Sequence, residues 1–123
     1  MLTVTKKFSF CYGHRLPAYQ GKCVNYHGHN SEVEVEFTNH LEMPKEYPGM
    51  IADFSKIKKI VGDILEQLDH KDLNAIKDFV APPPTAENIT VWLVDKIKQT
   101  PLGPGLVRVR MTETPTSWAE WRK

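Results

Sequence analysis

Three stretches of the chain alternate apolar and polar residues with a period of two, and two stretches between them repeat with a helical period. In the first alternating stretch, residues 2–14, Leu2, Val4, Phe8, Phe10, Tyr12 and His14 share one parity, broken only by Lys6. Successive side chains of a strand point to opposite faces, so this set predicts one apolar face that ends in a histidine. The second stretch, Ser31-Glu32-Val33-Glu34-Val35-Glu36-Phe37, puts its glutamates on one face and its apolar residues on the other. Carried backwards, the apolar parity passes through His29 to His27. The third, Leu106–Glu113, groups Val107, Val109, Met111 and Glu113 on one face and Arg108, Arg110 and Thr112 on the other. Thr114-Pro115 then turns the chain into a last strand, Ser117–Trp121, with Trp118 or Trp121 at an edge.

The helical stretches lie between the second and third strands. Phe54, Ile57, Ile60, Val61, Ile64, Leu65 and Leu68 follow the i, i+3, i+4, i+7 spacing of one buried stripe, with Asp53 as its N-cap. Pro82-Pro83-Pro84 is a stiff connector, and Thr85 caps a second helix marked by Ile89, Trp92, Leu93, Lys96 and Ile97. Pro101, Gly103, Pro104 and Gly105 end it. Strand, strand, helix, helix, strand, strand predicts an α+β fold: a four-stranded antiparallel sheet with both helices on one face, spanning residues 1–123 as a single domain. Such a sheet has two open edges and an uncovered face, which predicts association with further copies.

Composition narrows the classes. Charged residues make up 25% and the hydrophobic set 41%, as in ordinary globular domains. A net charge of +1 carries no nucleic-acid footprint, and no apolar run approaches the roughly 18 residues of a membrane span. The first residues, Met1–Lys7, lack the apolar core of a signal peptide, so a reducing cytoplasm is expected. Cys11 and Cys23 flank a loop and could form one disulfide; in that compartment free thiols are expected instead.

Candidate chemistry concentrates in Cys23-Val24-Asn25-Tyr26-His27-Gly28-His29. On an extended strand, His27 and His29 share a face with Cα atoms about 6.6 Å apart, close enough to converge on one metal ion. If strands one and two pair as a hairpin, His14 joins them at the same end and face. Three neutral imidazoles with an open fourth position match a catalytic zinc site. The competing reading is three satisfied core or surface histidines. Asp69-His70 could be a carboxylate–imidazole pair, or His70 could merely suit the negative end of a helix. Adjacent residues do not face each other on a helix, so the first reading requires the pair to lie in the turn beyond it. Glu113 is either exposed at a rim or an anchor for a ligand's N–H groups.

Taken together, these motifs resemble the zinc signature of the 6-pyruvoyl-tetrahydropterin synthase/6-carboxy-tetrahydropterin synthase family. The resemblance runs through Phe10–Leu16, Cys23-x3-His27-Gly28-His29, Asp53-Phe54, Leu68-Asp69-His70-x2-Leu73-Asn74, Pro84–Ile89 and Glu113-Thr114, in family order over nearly the whole chain. It implies a tunnelling fold in which trimers close their sheets into a barrel, two trimers stack as a homohexamer, and the active site lies between subunits. It implies zinc ligands at His14, His27 and His29, catalytic residues at Cys23, Asp69 and His70, and pterin binding at Glu113. The implied substrate is 7,8-dihydroneopterin triphosphate.

The three-residue gap between Cys23 and His27, and the short chain, resemble the bacterial 6-carboxy-tetrahydropterin synthases. These release acetaldehyde and triphosphate on the way to queuosine precursors. The pyruvoyl-type reaction is the alternative, and a non-catalytic zinc-stabilised pterin-binding module is the alternative of another class. A generic zinc hydrolase ranks below both, since no carboxylate base stands beside the histidine pair. Lys22, Arg15 or Lys6 are candidates to meet the triphosphate. Cys11-Tyr12-Gly13 departs from the small residues the family carries before its first histidine. It leaves open whether Cys11 perturbs the pocket or competes as a ligand.

Overall fold

The alternating stretches form the long strands. In the computed structural model, which describes residues 1–123, β1 spans Thr3–His14 and β2 spans His27–Thr38. They pair antiparallel over their full length, from Thr3 opposite Thr38 to His14 opposite His27. The parity holds: Phe10, Tyr12 and His14 of β1 and Ser31, Val33, Val35 and Phe37 of β2 are buried. Leu2 lies outside the strand and is exposed.

Helix α1 runs over Phe54–Glu66, with Asp53 accepting from the Ser55 N–H as its cap. Ile57, Val61, Ile64 and Leu65 form its buried stripe, and Leu68 stays buried just past its end. Phe54 is the exception to the expected stripe, 52% exposed at the first turn, where the helix has not yet reached the core. The chain then adds an element that the alternation did not signal. Lys71–Asp72 form a two-residue strand, β3, parallel to β1 at Tyr12 and Gly13. The sheet therefore has five strands, not four, and is mixed rather than wholly antiparallel, in the order β3-β1-β2-β4-β5. Two residues are too few to show a period; what makes them a strand is the unpaired edge of β1 beside them.

Helix α2, Ala86–Lys98, is capped by Thr85, whose hydroxyl accepts from the Asn88 N–H. Ile89, Leu93 and Ile97 are fully buried, together with Thr90 and Val94. Strands β4, Leu106–Thr114, and β5, Ser117–Arg122, complete the sheet. A register shift between Glu36 and Phe37 sets Leu106 opposite Phe37. Leu106 is thereby buried and Val107 only half-buried, reversing the expected facing at that end of the strand. Trp121 packs on the core and Trp118 is exposed on the other face, under the Arg110 guanidinium at 3.9 Å.

Both helices cover one side: α1 lies against β1, and α2 against β4 and β5. The opposite side is tiled with charge. Arg108 bridges Glu34, Glu36 and Glu120, with its side chain only 13% exposed.

Candidate metal centre

The hairpin delivers three imidazoles to one point. Register sets His14 opposite His27 and Tyr12 opposite His29, so the histidines meet at the end of β1 and β2 that the loop joins. Their ring centroids lie 4.5, 4.9 and 5.0 Å apart. The connection between the strands is pinned at its start, where Arg15 N–H donates to Asn74 Oδ1 (2.8 Å) and Asn74 Nδ2 donates back to Arg15 O (3.0 Å).

Backbone carbonyls decide the tautomers. His14 Nδ1 lies 2.7 Å from Pro84 O, and His27 Nδ1 lies 2.7 Å from Asn25 O. A carbonyl oxygen only accepts, so each Nδ1 carries the proton and each neutral ring keeps its lone pair on Nε2. The Glu113 backbone favours the protonated form of His29, against the larger effect of burial. His14 Nε2 and His29 Nε2 stand 3.1 Å apart, and His27 Nε2 is buried without a partner. Lone pairs gathered at one point with no donor between them fit a bound cation. Burial, foremost, lowers the pKa of both His14 and His29, which keeps them neutral and able to ligate. The nearby Glu113 carboxylate opposes that shift at both rings, so a negative charge faces the cluster. The structure thus brings together the three predicted ligands, with Glu113 beside them.

Tyr12 was legible only as a member of an apolar face. It is buried, edge-on to His14 at 5.1 Å between centroids and tilted to His29 at 5.5 Å. Its hydroxyl has no hydrogen-bond partner, and burial followed by the Glu113 charge raises its pKa. Pro84 O was invisible in the sequence altogether, because any residue supplies a carbonyl.

Asp69 and His70 lie beyond the end of α1, in the turn, as the pair reading requires. His70 Nδ1 is 3.0 Å from Asp69 Oδ1, and His70 takes a left-handed backbone, φ 58°. The Asp69 carboxyl is held below its ordinary range, first by the Cys11 N–H, which donates to Oδ1 at 3.0 Å. Cys11 itself points to the face opposite the three histidines, by the parity of β1. Its companions are Asp69 and His70 rather than the histidine cluster.

Cys23 sits half-buried in a 3-10 turn, Lys22–Val24, outside both compact groups. Cys11 and Cys23 are both free thiols. Of the cationic candidates, Arg15 follows His14 and has a buried, unpartnered Nε, Lys22 is exposed in the turn, and Lys6 lies eight residues up β1 from His14. That distance, about 26 Å along the strand, puts Lys6 at the far end of the sheet. A cavity of about 510 Å³ at the hairpin end is lined by His27, His29, Tyr26, Cys11 and His70 among others.

The fold and site define a class: a small α+β domain that presents three inward-facing imidazoles at the end of a long hairpin. Residues 3–123 match the family model of 6-pyruvoyl tetrahydropterin synthase, and the chain belongs to that family. It is 32% identical over 143 residues to the 6-carboxy-5,6,7,8-tetrahydropterin synthase of Haemophilus influenzae, covering all of both chains. It is 34% identical over 123 residues to the enzyme of that name from Synechocystis sp., covering 98% of this chain and 93% of the relative. Its fold is similar to the solved structure of Caenorhabditis elegans 6-pyruvoyl tetrahydropterin synthase. That likeness has a TM-score of 0.84 at 27% identity and covers 99% of this chain and 95% of the other. These neighbours make the fold a tunnelling fold.

Proposed function

We propose that this chain is a zinc-dependent 6-carboxy-5,6,7,8-tetrahydropterin synthase. It converts 7,8-dihydroneopterin triphosphate to 6-carboxy-tetrahydropterin with release of acetaldehyde and triphosphate, in the cytoplasm and toward queuosine precursors. The observation that carries this reading is the convergence of the His14, His27 and His29 rings, with the Nε2 atoms of His14 and His29 3.1 Å apart and His14 and His27 held from behind by backbone carbonyls. The three-residue gap between Cys23 and His27 and the full-length similarity to the Haemophilus influenzae enzyme favour the 6-carboxy product.

Zinc held by the three histidines would supply Lewis acidity to a hydroxyl-bearing substrate side chain, easing loss of a neighbouring proton. The chain's own residues then divide the work. Cys23 takes that proton as a thiolate base. His70, oriented by Asp69 through Nδ1, moves the second proton. Glu113 accepts from the pterin N3–H and 2-amino group, a bidentate match that fixes the ring. Cys23 lies outside the Asp69–His70 group within one chain, which accords with a site completed between subunits of a trimer or hexamer. The long edge of β1 beyond β3 and the outer edge of β5 are open to such pairing.

The test is product identification by mass spectrometry after zinc-loaded protein is incubated with 7,8-dihydroneopterin triphosphate. Acetaldehyde and a 6-carboxy product are expected, and Cys23→Ala or His70→Ala should each reduce turnover by at least about 100-fold. A second reading, the pyruvoyl-type reaction, is favoured by the likeness to the Caenorhabditis elegans structure. A 6-pyruvoyl product would select it. Zinc binding with no turnover would leave a non-catalytic pterin-binding module. Turnover unchanged by either substitution would overturn the assigned roles.

A further inference from the structure

We propose that the Tyr12 hydroxyl is a positioning group of the metal centre, donating a hydrogen bond to the oxygen ligand that fills the position the three histidines leave open. Register sets two cross-strand pairs side by side, His14 opposite His27 and Tyr12 opposite His29. Residues two apart on a strand share a face, so these four side chains form one quartet, three imidazoles and a phenol. The Tyr12 ring centroid lies 5.1 Å from that of His14 and 5.5 Å from that of His29. The histidines stand 4.5, 4.9 and 5.0 Å from one another. The phenol is thus the fourth corner of the same cluster. This role rests on the metal reading of the histidines proposed above.

Packing does not account for the hydroxyl. Tyr12 is buried and stacks on Phe10 at 5.4 Å between centroids, a contact that a phenylalanine would make equally well. A buried tyrosine ordinarily finds a partner for its O–H, and an unpartnered one costs the fold stability. Four buried side-chain polar atoms in the chain lack a partner, and two of them belong to this quartet, Tyr12 Oη and His27 Nε2. The first is a donor without an acceptor, and the second is a lone pair without a donor or a cation.

The surroundings narrow what the hydroxyl can meet. Phe10 offers no acceptor. His14 Nδ1 donates to Pro84 O, and its Nε2 stands 3.1 Å from His29 Nε2, where a metal would take both lone pairs. The Glu113 carboxylate acts on Tyr12 through its charge but makes no hydrogen bond to the hydroxyl. A cation held by the histidines repels the phenol proton, so the acceptor is a group that the cation itself carries, an oxygen at its open position. The cavity of about 510 Å³ at the hairpin end is lined by Tyr12 together with His27 and His29, which gives a small oxygen ligand a way in. In the reaction proposed above that oxygen belongs to the substrate side chain, and Tyr12 fixes its orientation.

The experiment loads zinc-free, full-length protein with Co²⁺, whose visible bands report its coordination, and titrates it with acetate as the oxygen ligand. In the unsubstituted protein acetate should change those bands. Tyr12→Phe should bind Co²⁺ as tightly and bind acetate about 10–100-fold more weakly, the loss expected for one hydrogen bond to a charged group. Tyr26→Phe removes an exposed phenol from the same cavity and should change neither affinity. Acetate affinity unchanged by Tyr12→Phe, an equal weakening by Tyr26→Phe, or bands that acetate does not alter would each overturn the role. Loss of Co²⁺ binding itself in Tyr12→Phe would make the tyrosine a support of the cluster and overturn the role as well. Failure of the unsubstituted protein to bind Co²⁺ would overturn the metal reading and this role together. The readouts need no pterin, so absence of pterin turnover leaves the role standing.

Discussion

At the residue scale, the three histidines are equal as candidate ligands and unequal as parts of the fold. His14 is fully buried and hydrogen-bonded to Pro84 O, whereas His27 is half-exposed and held by its neighbour Asn25 O. His14→Ala should therefore destabilise the metal-free chain by about 2–4 kcal/mol, by leaving a cavity and an unpaired carbonyl. His27→Ala should stay within about 1 kcal/mol. Both should abolish high-affinity metal binding, and urea melts alongside metal titrations separate the two effects. Tyr12 makes the complementary case. Its buried hydroxyl lacks a partner, so Tyr12→Phe should be neutral or should stabilise the metal-free chain by up to about 1 kcal/mol in the same melts. Strand parity and spacing named the three histidines as candidate ligands. They said nothing of which ring is structural, because burial belongs to the packed molecule.

At the element scale, two glycines give opposite predictions. Gly62 lies inside α1 with open space where a Cβ would go, and its backbone is not left-handed. Gly62→Ala should raise stability by about 0.5–1 kcal/mol, since Ala loses less conformational freedom in a helix. Gly105 precedes β4, and a Cβ there would collide with Met43 Sδ and stand 2.6 Å from Thr38 O. Gly105→Ala should cost about 1–3 kcal/mol through overpacking. Thermal or urea melts of the two variants should move in opposite directions. The sequence sets Gly62 inside a helical stripe and Gly105 in a helix-ending run, but it does not show what a Cβ at either would meet. The long elements were legible, because periods of 2 and 3.6 repeat many times in them. β3 was not, because two residues cannot repeat anything, and its pairing depends on an edge that residues 12–13 present from far along the chain.

At the scale of the whole molecule, charge is organised by the sheet's second face. Glu36 is held below its ordinary range chiefly by its hydrogen bond from Arg108, and Asp69 chiefly by the Cys11 N–H. A carboxyl whose pKa is lower in the folded state binds fewer protons there than in the unfolded chain. Its contribution is complete above the unfolded pKa and is lost as pH falls below about 4 toward the folded value. His14 and His29, whose pKa burial lowers, add a loss between pH 7 and 5, because the unfolded chain takes up those protons first. Urea melts at pH 7, 5 and 3 should therefore lose stability over both intervals, and no further loss between pH 5 and 3 would overturn the carboxylate contribution.

The sequence by itself determined the facing of β1 and β2, the stripes and caps of α1 and α2, and the three imidazoles as a candidate set. It could do so because side-chain direction in a regular element follows from position alone, and because His14, His27 and His29 sit at the ends of two elements that one short connection makes neighbours. Only the tertiary structure decided the rest. Pro84 O reaches His14 from 70 residues away and selects its tautomer. Asp69 accepts from the Cys11 N–H across 58 residues and stands beside His70, which sets that pair against β1. Such contacts leave no periodic trace in the chain, since each is a single meeting of elements whose relative placement is set by packing.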